Sequence, residues 1–395
     1  MNQYERRTLG PPPISTSLLG GTQANDILYS RDETDARGAV LQVSGFMAQI
    51  VRPTPRRGPS YSALMRAAFF EAYRQITVRD TPVPEPRSGE VRLKVRYCGI
   101  CGSDLTCYKT GVLAGPDVVL GHELSAVVDV DPAGRWATGA RVTVFPSGTG
   151  CGECVWCLER KFRYCLNPPD RPHGGGFAEY LTVPAENLIA LAEDVDDRAA
   201  ALAEPLGVAL RGVAMAGPKE GDLAYVSGLG SIGLLAVSGL AAAGCRVIGA
   251  DPREDRRGLG LELGCDAVLD PTREDPVRAT MAIDAHGPRV AFECAGVPES
   301  LQQVFDSCGH GGTVGILGIP VAPVFLLRMT LKEQRAFSIQ GPSFESMERA
   351  LDLIRERPQI AKVVTGTVPL DLADDAFARL VAGDGGIKVL VAPEA

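Results

Sequence analysis

An apolar run, Leu223–Ser227, leads directly into Gly228-Leu229-Gly230-Ser231-Ile232-Gly233. An Ala- and Leu-rich stretch follows, then a second apolar run, Arg246–Ala250, that ends on Asp251. A lone G-x-G-x-x-G means little. Set between strand and helix, with an acid about twenty positions on, it is the dinucleotide-binding turn. Gly228 permits the tight turn, Gly230 the close approach of backbone to pyrophosphate, and Gly233 the packing of helix on strand. The helix that starts at Ser231 and Ile232 offers its free N–H groups and positive dipole end to the phosphates. Asp251 is placed to accept from the adenosine ribose hydroxyls and to repel a 2′-phosphate, which favours NAD over NADP. Arg253, Arg256 and Arg257 temper that preference, and Arg256 is counted among the cofactor contacts. The alternating pattern continues through Ala267–Leu269, Val290–Cys294, Thr313–Leu317 and Phe337–Ile339, as a parallel, doubly wound sheet requires.

The chain has 395 residues, enough for two domains with separate cores. Its formal net charge of -8 argues against nucleic acid as a partner. No apolar run reaches bilayer-spanning length, so no membrane partner is expected either. Most of the 11 cysteines cluster in two places, where a disulfide framework would spread them. With no export signal, that clustering implies metal or redox work in a reducing compartment, hence the cytoplasm. Residues 1–64 contain Pro11-Pro12-Pro13, scattered charges and a basic, Pro-rich stretch from Arg52 to Pro59. They read as a disordered extension, or as a start assigned too early with Met65 as the true first residue.

From Met65 to about Asp131 short β-rich runs alternate with Pro and Gly. Met65–Phe70, Glu90–Tyr97 and Leu124–Val130 read as strands of a small barrel. Within this stretch lie Cys101-Gly102-Ser103-Asp104 and Gly121-His122-Glu123. Thiolate, imidazole and carboxylate are the ligand types of catalytic zinc. Asp104 is a candidate to orient His122, and Ser103 to pass a proton. Against this stands the plainer reading of a buried Cys and a hydrogen-bonded His. A second cluster, Cys151-Gly152-Glu153-Cys154-Val155-Trp156-Cys157 followed by Cys165, puts four thiols on one loop. It suits a closed, structural zinc. An iron–sulfur cluster and a redox C-x-x-C pair are the competing readings, and zinc is favoured. Further on, Tyr180–Pro184 reads as a strand and Ala199–Gly217 as a helix that begins near Glu204-Pro205-Leu206. There Glu204 is either a helix cap or a further carboxylate at the catalytic metal.

In order, Cys-Gly-Ile-Cys-Gly-Ser-Asp, Gly-His-Glu, the four-Cys loop, Glu-Pro-Leu and the Gly-rich turn resemble the zinc-dependent medium-chain dehydrogenases. That family includes alcohol, sorbitol, butanediol and threonine dehydrogenases. The resemblance runs from Met65 to the C-terminus. It implies an α/β architecture: a GroES-like β-barrel catalytic domain (65–212 and 343–395) and a doubly wound, parallel-sheet Rossmann domain (213–342). It implies two zinc ions per chain. The catalytic one falls on Cys101 and His122, with Glu123 and Glu204 as the two alternative carboxylates; the structural one falls on Cys151, Cys154, Cys157 and Cys165. Lys388 matches a basic position that meets the cofactor pyrophosphate. Two departures stand out. Thr106 occupies the place of a proton-relaying His, and Ala126 that of a Gly.

The reaction implied is hydride transfer from an alcohol (a polyol, a sugar-derived or a secondary alcohol) to NAD, with Ser103 carrying the proton outward. The family also implies a homodimer or homotetramer. Two alternatives stand beside this: an aldehyde or ketone reductase running the reverse reaction, and a non-catalytic nucleotide-binding protein that keeps the fold.

Overall fold

The computed structural model describes residues 63–111, 114–146, 150–159, 161–167, 174–320 and 323–394. The expectations for residues 1–62 therefore lie outside the described residues. From the start of the described chain, eight strands precede the Gly-rich turn: β1 (Leu64–Ala72), β2 (Gln75–Pro82), β3 (Glu90–Gly99), β4 (Val118–Val119), β5 (Glu123–Val130), β6 (Arg141–Val144), β7 (Tyr180–Pro184) and β8 (Leu188–Ala190). Strand β3 is the hub. Its first half pairs antiparallel with β7 and most of its length with β5. Inward-facing Val91, Leu93, Val95 and Cys98 are all fully buried. Polar Arg92, Lys94 and Arg96 alternate with Val91, Leu93 and Val95, and a slip of one would bury three charges; a register shift between Val95 and Tyr97 precedes the buried Cys98.

The sequence pattern missed β2. Its residues Gln-Ile-Thr-Val-Arg-Asp-Thr-Pro are mostly exposed, so little hydrophobic periodicity marks it. The helix expected over Ala199–Gly217 is broken at Ala201 and Leu202. A short turn, Asp197–Ala200, is capped by the Asp196 side chain, and the main helix runs over Ala203–Ala216. It stops at Gly217, whose φ of 61° closes the helix in the left-handed region.

The second sheet has strands β9 (Leu223–Ser227), β10 (Arg246–Ala250), β11 (Ala267–Leu269), β12 (Val290–Glu293), β13 (Thr313–Ile316) and β14 (Arg335–Ser338). All its pairings are parallel, in the order β11-β10-β9-β12-β13-β14. β9 and β12 are buried at every position, as a sheet covered by helices on both faces requires. Strand β14 begins two residues before the Phe337 start expected from sequence. It is an edge strand, largely exposed, and its register with β13 rather than its hydrophobicity fixes where it begins.

The chain then returns. Strand β15 (Val364–Pro369) pairs parallel with β16 (Lys388–Ala392), and β16 pairs antiparallel with the end of β3. Between them the helix Ala373–Ala382 drives Phe377 into the first core. Its ring lies 5.3 Å from Tyr108 and 5.7 Å from Phe177, the latter edge-on. No described helix is long and apolar enough to cross a membrane.

Phe377 fixes this returning segment to the barrel. Phe377→Ala is expected to cost about 3–5 kcal/mol from the cavity it leaves. Chemical denaturation followed by circular dichroism measures it. A loss under about 1 kcal/mol would mean that the returning helix contributes little to the barrel core.

Candidate active site

Three strands meet at one point. Gly99, the last residue of β3, pairs with Glu123, the first of β5, and with Leu390 of β16. Immediately beyond β3, Ile100 is tied to β16 by its N–H to Val389 O at 3.0 Å. Cys101 is the N-cap of the helix Gly102–Thr110, and its N–H donates to Asp104 Oδ2 at 2.9 Å. These local constraints bring Cys101, His122 and Glu123 together. Each offers a ligand atom within 4.8 Å of the other two.

Asp104 Oδ1 faces His122 Nδ1 at 3.7 Å, beyond hydrogen-bond length, so the orienting contact expected from sequence is electrostatic here. Burial alone would lower the His122 pKa. Asp104 and the bonded Cys101 thiol outweigh it and hold the imidazole well above its ordinary value. Burial also raises the Asp104 carboxyl, against the pull of His122. Glu204, buried on the second residue of its helix, acts electrostatically on both His122 and Lys388. The Ser103 hydroxyl is half-buried and has no hydrogen-bond partner among the described residues. Thr106 Oγ1, by contrast, is tied to Gly102 O at 3.0 Å.

Lys388 was expected at a cofactor pyrophosphate. Its Nζ donates to both oxygens of Glu123, at 2.8 and 2.6 Å, and to Ile100 O at 2.9 Å. Lys388 and Glu123 are 2 % and 1 % exposed, so each charge depends on the other. Burial lowers the Lys388 pKa, but Glu123 more than restores it and the net shift is upward. Sequence reasoning had both residues but not their pairing.

The four-Cys loop is likewise gathered. The Cys151–Cys157 and Cys154–Cys157 sulfur separations are 4.0 and 3.5 Å, and no sulfur is in a disulfide. A tetrahedral zinc with four thiolates at about 2.3 Å needs sulfurs about 3.8 Å apart, so the set fits that ion. Backbone N–H groups of Leu166 and Cys157 pull the Cys154 thiol down to about 6, preparing a thiolate. Burial pushes Cys157 the other way, up to about 12.

At the Gly-rich turn, Gly228 has φ of 92° and a Cβ there would lie 2.5 Å from Ala295 N. A Cβ on Gly233 would lie 1.8 Å from Gly228 O. Neither position accepts another residue without moving the turn. The helix Ser231–Ala242 starts from the N-cap Gly230. Asp251 is buried at the end of β10. Its carboxylate accepts from Leu229 N and Arg253 N, both at 2.9 Å, and lies 3.5 Å from Arg256 Nη1. Arg256 Nε is buried with no hydrogen-bond partner among the described residues, as expected of a group that waits for a ligand. The turn, the acid and this cation suit a dinucleotide.

Comparison with known proteins agrees with this geometry. Residues 87–193 match the family described as alcohol dehydrogenase GroES-like domain, and residues 231–356 match zinc-binding dehydrogenase. A sorbitol dehydrogenase of Halalkalibacterium halodurans is 31% identical over 330 residues, 80% of this chain and 95% of the relative. The chain belongs to the zinc-binding alcohol dehydrogenase family. The (R,R)-butanediol dehydrogenase of Bacillus subtilis is 33% identical to this dehydrogenase over 350 residues, 83% of this chain and 100% of the relative. A zinc-binding dehydrogenase from Sinorhizobium meliloti, solved bound to NADP, superposes with a TM-score of 0.76 at 31% identity. That match covers 84% of this chain and 100% of the other. The two-domain α/β fold, GroES-like barrel plus Rossmann sheet, is thus the one the sequence implied.

Two outcomes follow for the dehydrogenase. Lys388→Met leaves Glu123 buried without its counter-charge and is expected to cost about 3–5 kcal/mol, read from the denaturant midpoint. An unchanged midpoint would show that Glu123 reaches water. Cys154→Ser is expected to lower the zinc content of the purified protein by one ion per chain, counted by elemental analysis. Full retention would remove the four-Cys loop from the list of metal sites.

Proposed function

We propose that this dehydrogenase oxidises a polyol, sugar-derived or secondary alcohol and passes the hydride to NAD, with NADP less favoured. The observation that carries the reading is the convergence of Cys101, His122 and Glu123 within 4.8 Å, in a chain that also holds a dinucleotide turn. Cys101 and His122 would hold the catalytic zinc. Glu123 would be the direct carboxylate and Glu204 the one that acts through water, a ranking supported by the absence of Glu204 from the 4.8 Å set. Bound there, zinc supplies a Lewis acid for the substrate hydroxyl. Cys151, Cys154, Cys157 and Cys165 would hold a second, structural zinc.

The protein's own groups do the rest. Ser103 Oγ, uncommitted and half-buried beside Cys101, takes the hydroxyl proton outward. Asp104 faces His122 Nδ1 and would orient the ring so that its other nitrogen meets the metal site. Lys388 neutralises Glu123 from behind, so the carboxyl can face the metal site without a net buried charge. Bound in the Rossmann domain, NAD would supply the hydride acceptor. The N–H groups at Ser231 and Ile232 receive its pyrophosphate, with Gly228, Gly230 and Gly233 allowing the approach. Asp251 receives the adenosine ribose, and Arg256 lies beside it. Lys388, spent on Glu123, acts through the metal site and not as a phosphate contact in this reading. The names of the relatives, sorbitol and butanediol dehydrogenases, support the lean toward polyols and secondary alcohols. The reading extends to domains at 65–212 with 343–395 and at 213–342, and to a homodimer or homotetramer in the cytoplasm.

The test is reduced-nicotinamide formation from polyols, sugars, amino alcohols and secondary alcohols, each with NAD and NADP, before and after chelation. Turnover that needs metal and prefers NAD is expected. Asp251→Ser should then move the NAD-to-NADP preference toward NADP by on the order of tenfold, the worth of one lost charge repulsion. Silence across the panel with only one zinc bound per chain would replace the dehydrogenase reading with a non-catalytic nucleotide binder.

A further inference from the structure

The strand order of the parallel sheet reverses between β9 and β12. Dinucleotides lie across such a reversal, outside the carboxyl ends of the strands. Asp251 assigns the adenosine half to β10, so the nicotinamide half falls over the ends of β12 and β13. The last residue of β12 is Glu293, which is 0% exposed. Its Oε1 accepts three hydrogen bonds: from Ala295 N at 2.9 Å, Gly296 N at 2.7 Å and Ser300 Oγ at 2.6 Å. These bend the chain sharply from β12 into the helix Pro298–Ser307. The main-chain oxygen of Glu293 accepts from Leu317 N and Gly318 N, both at 2.9 Å, and so holds the loop that follows β13.

The other carboxyl oxygen, Oε2, is buried without a partner among the described residues. A Cβ on Gly318 would lie 2.3 Å from it and 2.9 Å from Gly296 N, so the β13 loop is pressed against this carboxyl. One side chain therefore sets the spacing of two loops, the β12 loop and the β13 loop, whereas the phosphate turn rests on Gly233 packed against Gly228 and on the Leu229 N–H held by Asp251. Burying an oxygen with no donor is costly, and an apolar residue would pack the same space without that cost.

We propose that Glu293 is a positioning residue for hydride transfer: it fixes the β12 and β13 loops that seat the nicotinamide half of the coenzyme, while the adenosine half is held independently of it. The proposal rests on the dehydrogenase reading above.

The experiment compares binding of NAD with binding of ADP-ribose, which lacks the nicotinamide ring, by titration calorimetry on the full-length protein. Glu293→Gln keeps the shape and Ser300→Ala removes only one of the three donors, so one variant remains informative if the other folds poorly. Thermal melting verifies the fold of each. For Glu293→Gln, NAD is expected to bind on the order of tenfold more weakly while ADP-ribose stays within about twofold of the parent. Ser300→Ala should show the same split with a smaller loss. Equal weakening of both ligands, as a loop staple of purely structural role would give, overturns the proposal, as does no change in either. If the parent protein binds neither ligand, the coenzyme reading falls and the proposal falls with it. Binding of ADP-ribose and NAD by the parent with no split in the variants removes the proposal alone.

Discussion

Glu123 and Lys388 are two opposite charges that neither can reach water, and most of the barrel is arranged so that they meet. Isolated, either would cost several kcal/mol to bury. Together, with Ile100 O taking a further N–H from the ammonium, they are satisfied only if β3, β5 and β16 meet at the same level. The pairing of Gly99 with both Glu123 and Leu390 delivers that level. Hydrophobic residues on β3 would tolerate other partners of similar shape. The ion pair would not, and it specifies one register where packing alone would allow several.

The same pair divides the electrostatics of the candidate site. Asp104, Glu123 and Glu204 are three buried carboxyls near one imidazole, and without compensation they would repel each other strongly. Lys388 cancels one from within the barrel, and His122 answers to Asp104. What is left is one thiol, one imidazole and carboxyl oxygens already held in place, the donor set that a divalent cation would take. On the Rossmann side the logic is different. There the chain presents main-chain N–H groups and close glycine contacts, with Asp251 and Arg256 as a matched pair beside them. A metal needs fixed negative donors, and a dinucleotide needs backbone that can approach, so the two domains use different residue types.

Which parts were legible in the sequence follows from distance along the chain. Four cysteines within fifteen residues announce the Cys loop, because chance alone does not gather thiols so closely. The Gly-rich turn is legible because each glycine answers a local steric demand, and Gly233 against Gly228 is such a case. The parallel strands β9 and β12 are buried on both faces and read as continuous apolar runs. Strand β2, exposed over most of its length, carries no such signal. The Glu123–Lys388 pair joins residues 265 positions apart, and nothing local to either says that they meet. The role of Glu293 was equally hidden. An acid that ends an apolar strand looks like the start of a solvated loop, and only the three-dimensional fold shows it fully buried under Gly318.

The return of the chain to β3 has a consequence for how the molecule comes into being. The Rossmann sheet is assembled from consecutive βα units, each closing on its neighbour soon after it leaves the ribosome. The barrel cannot follow that schedule. Its first strand pairs are made early, yet Lys388 follows Glu123 by 265 positions, and until it arrives Glu123 faces a forming apolar core with no counter-charge. The nascent barrel must therefore stay loose, with β5 unable to bury its first residue, until β16 has been made. A chain that stopped short of β16 would carry a finished coenzyme domain attached to a barrel that cannot close, an exposed apolar surface of the kind that cellular quality control removes.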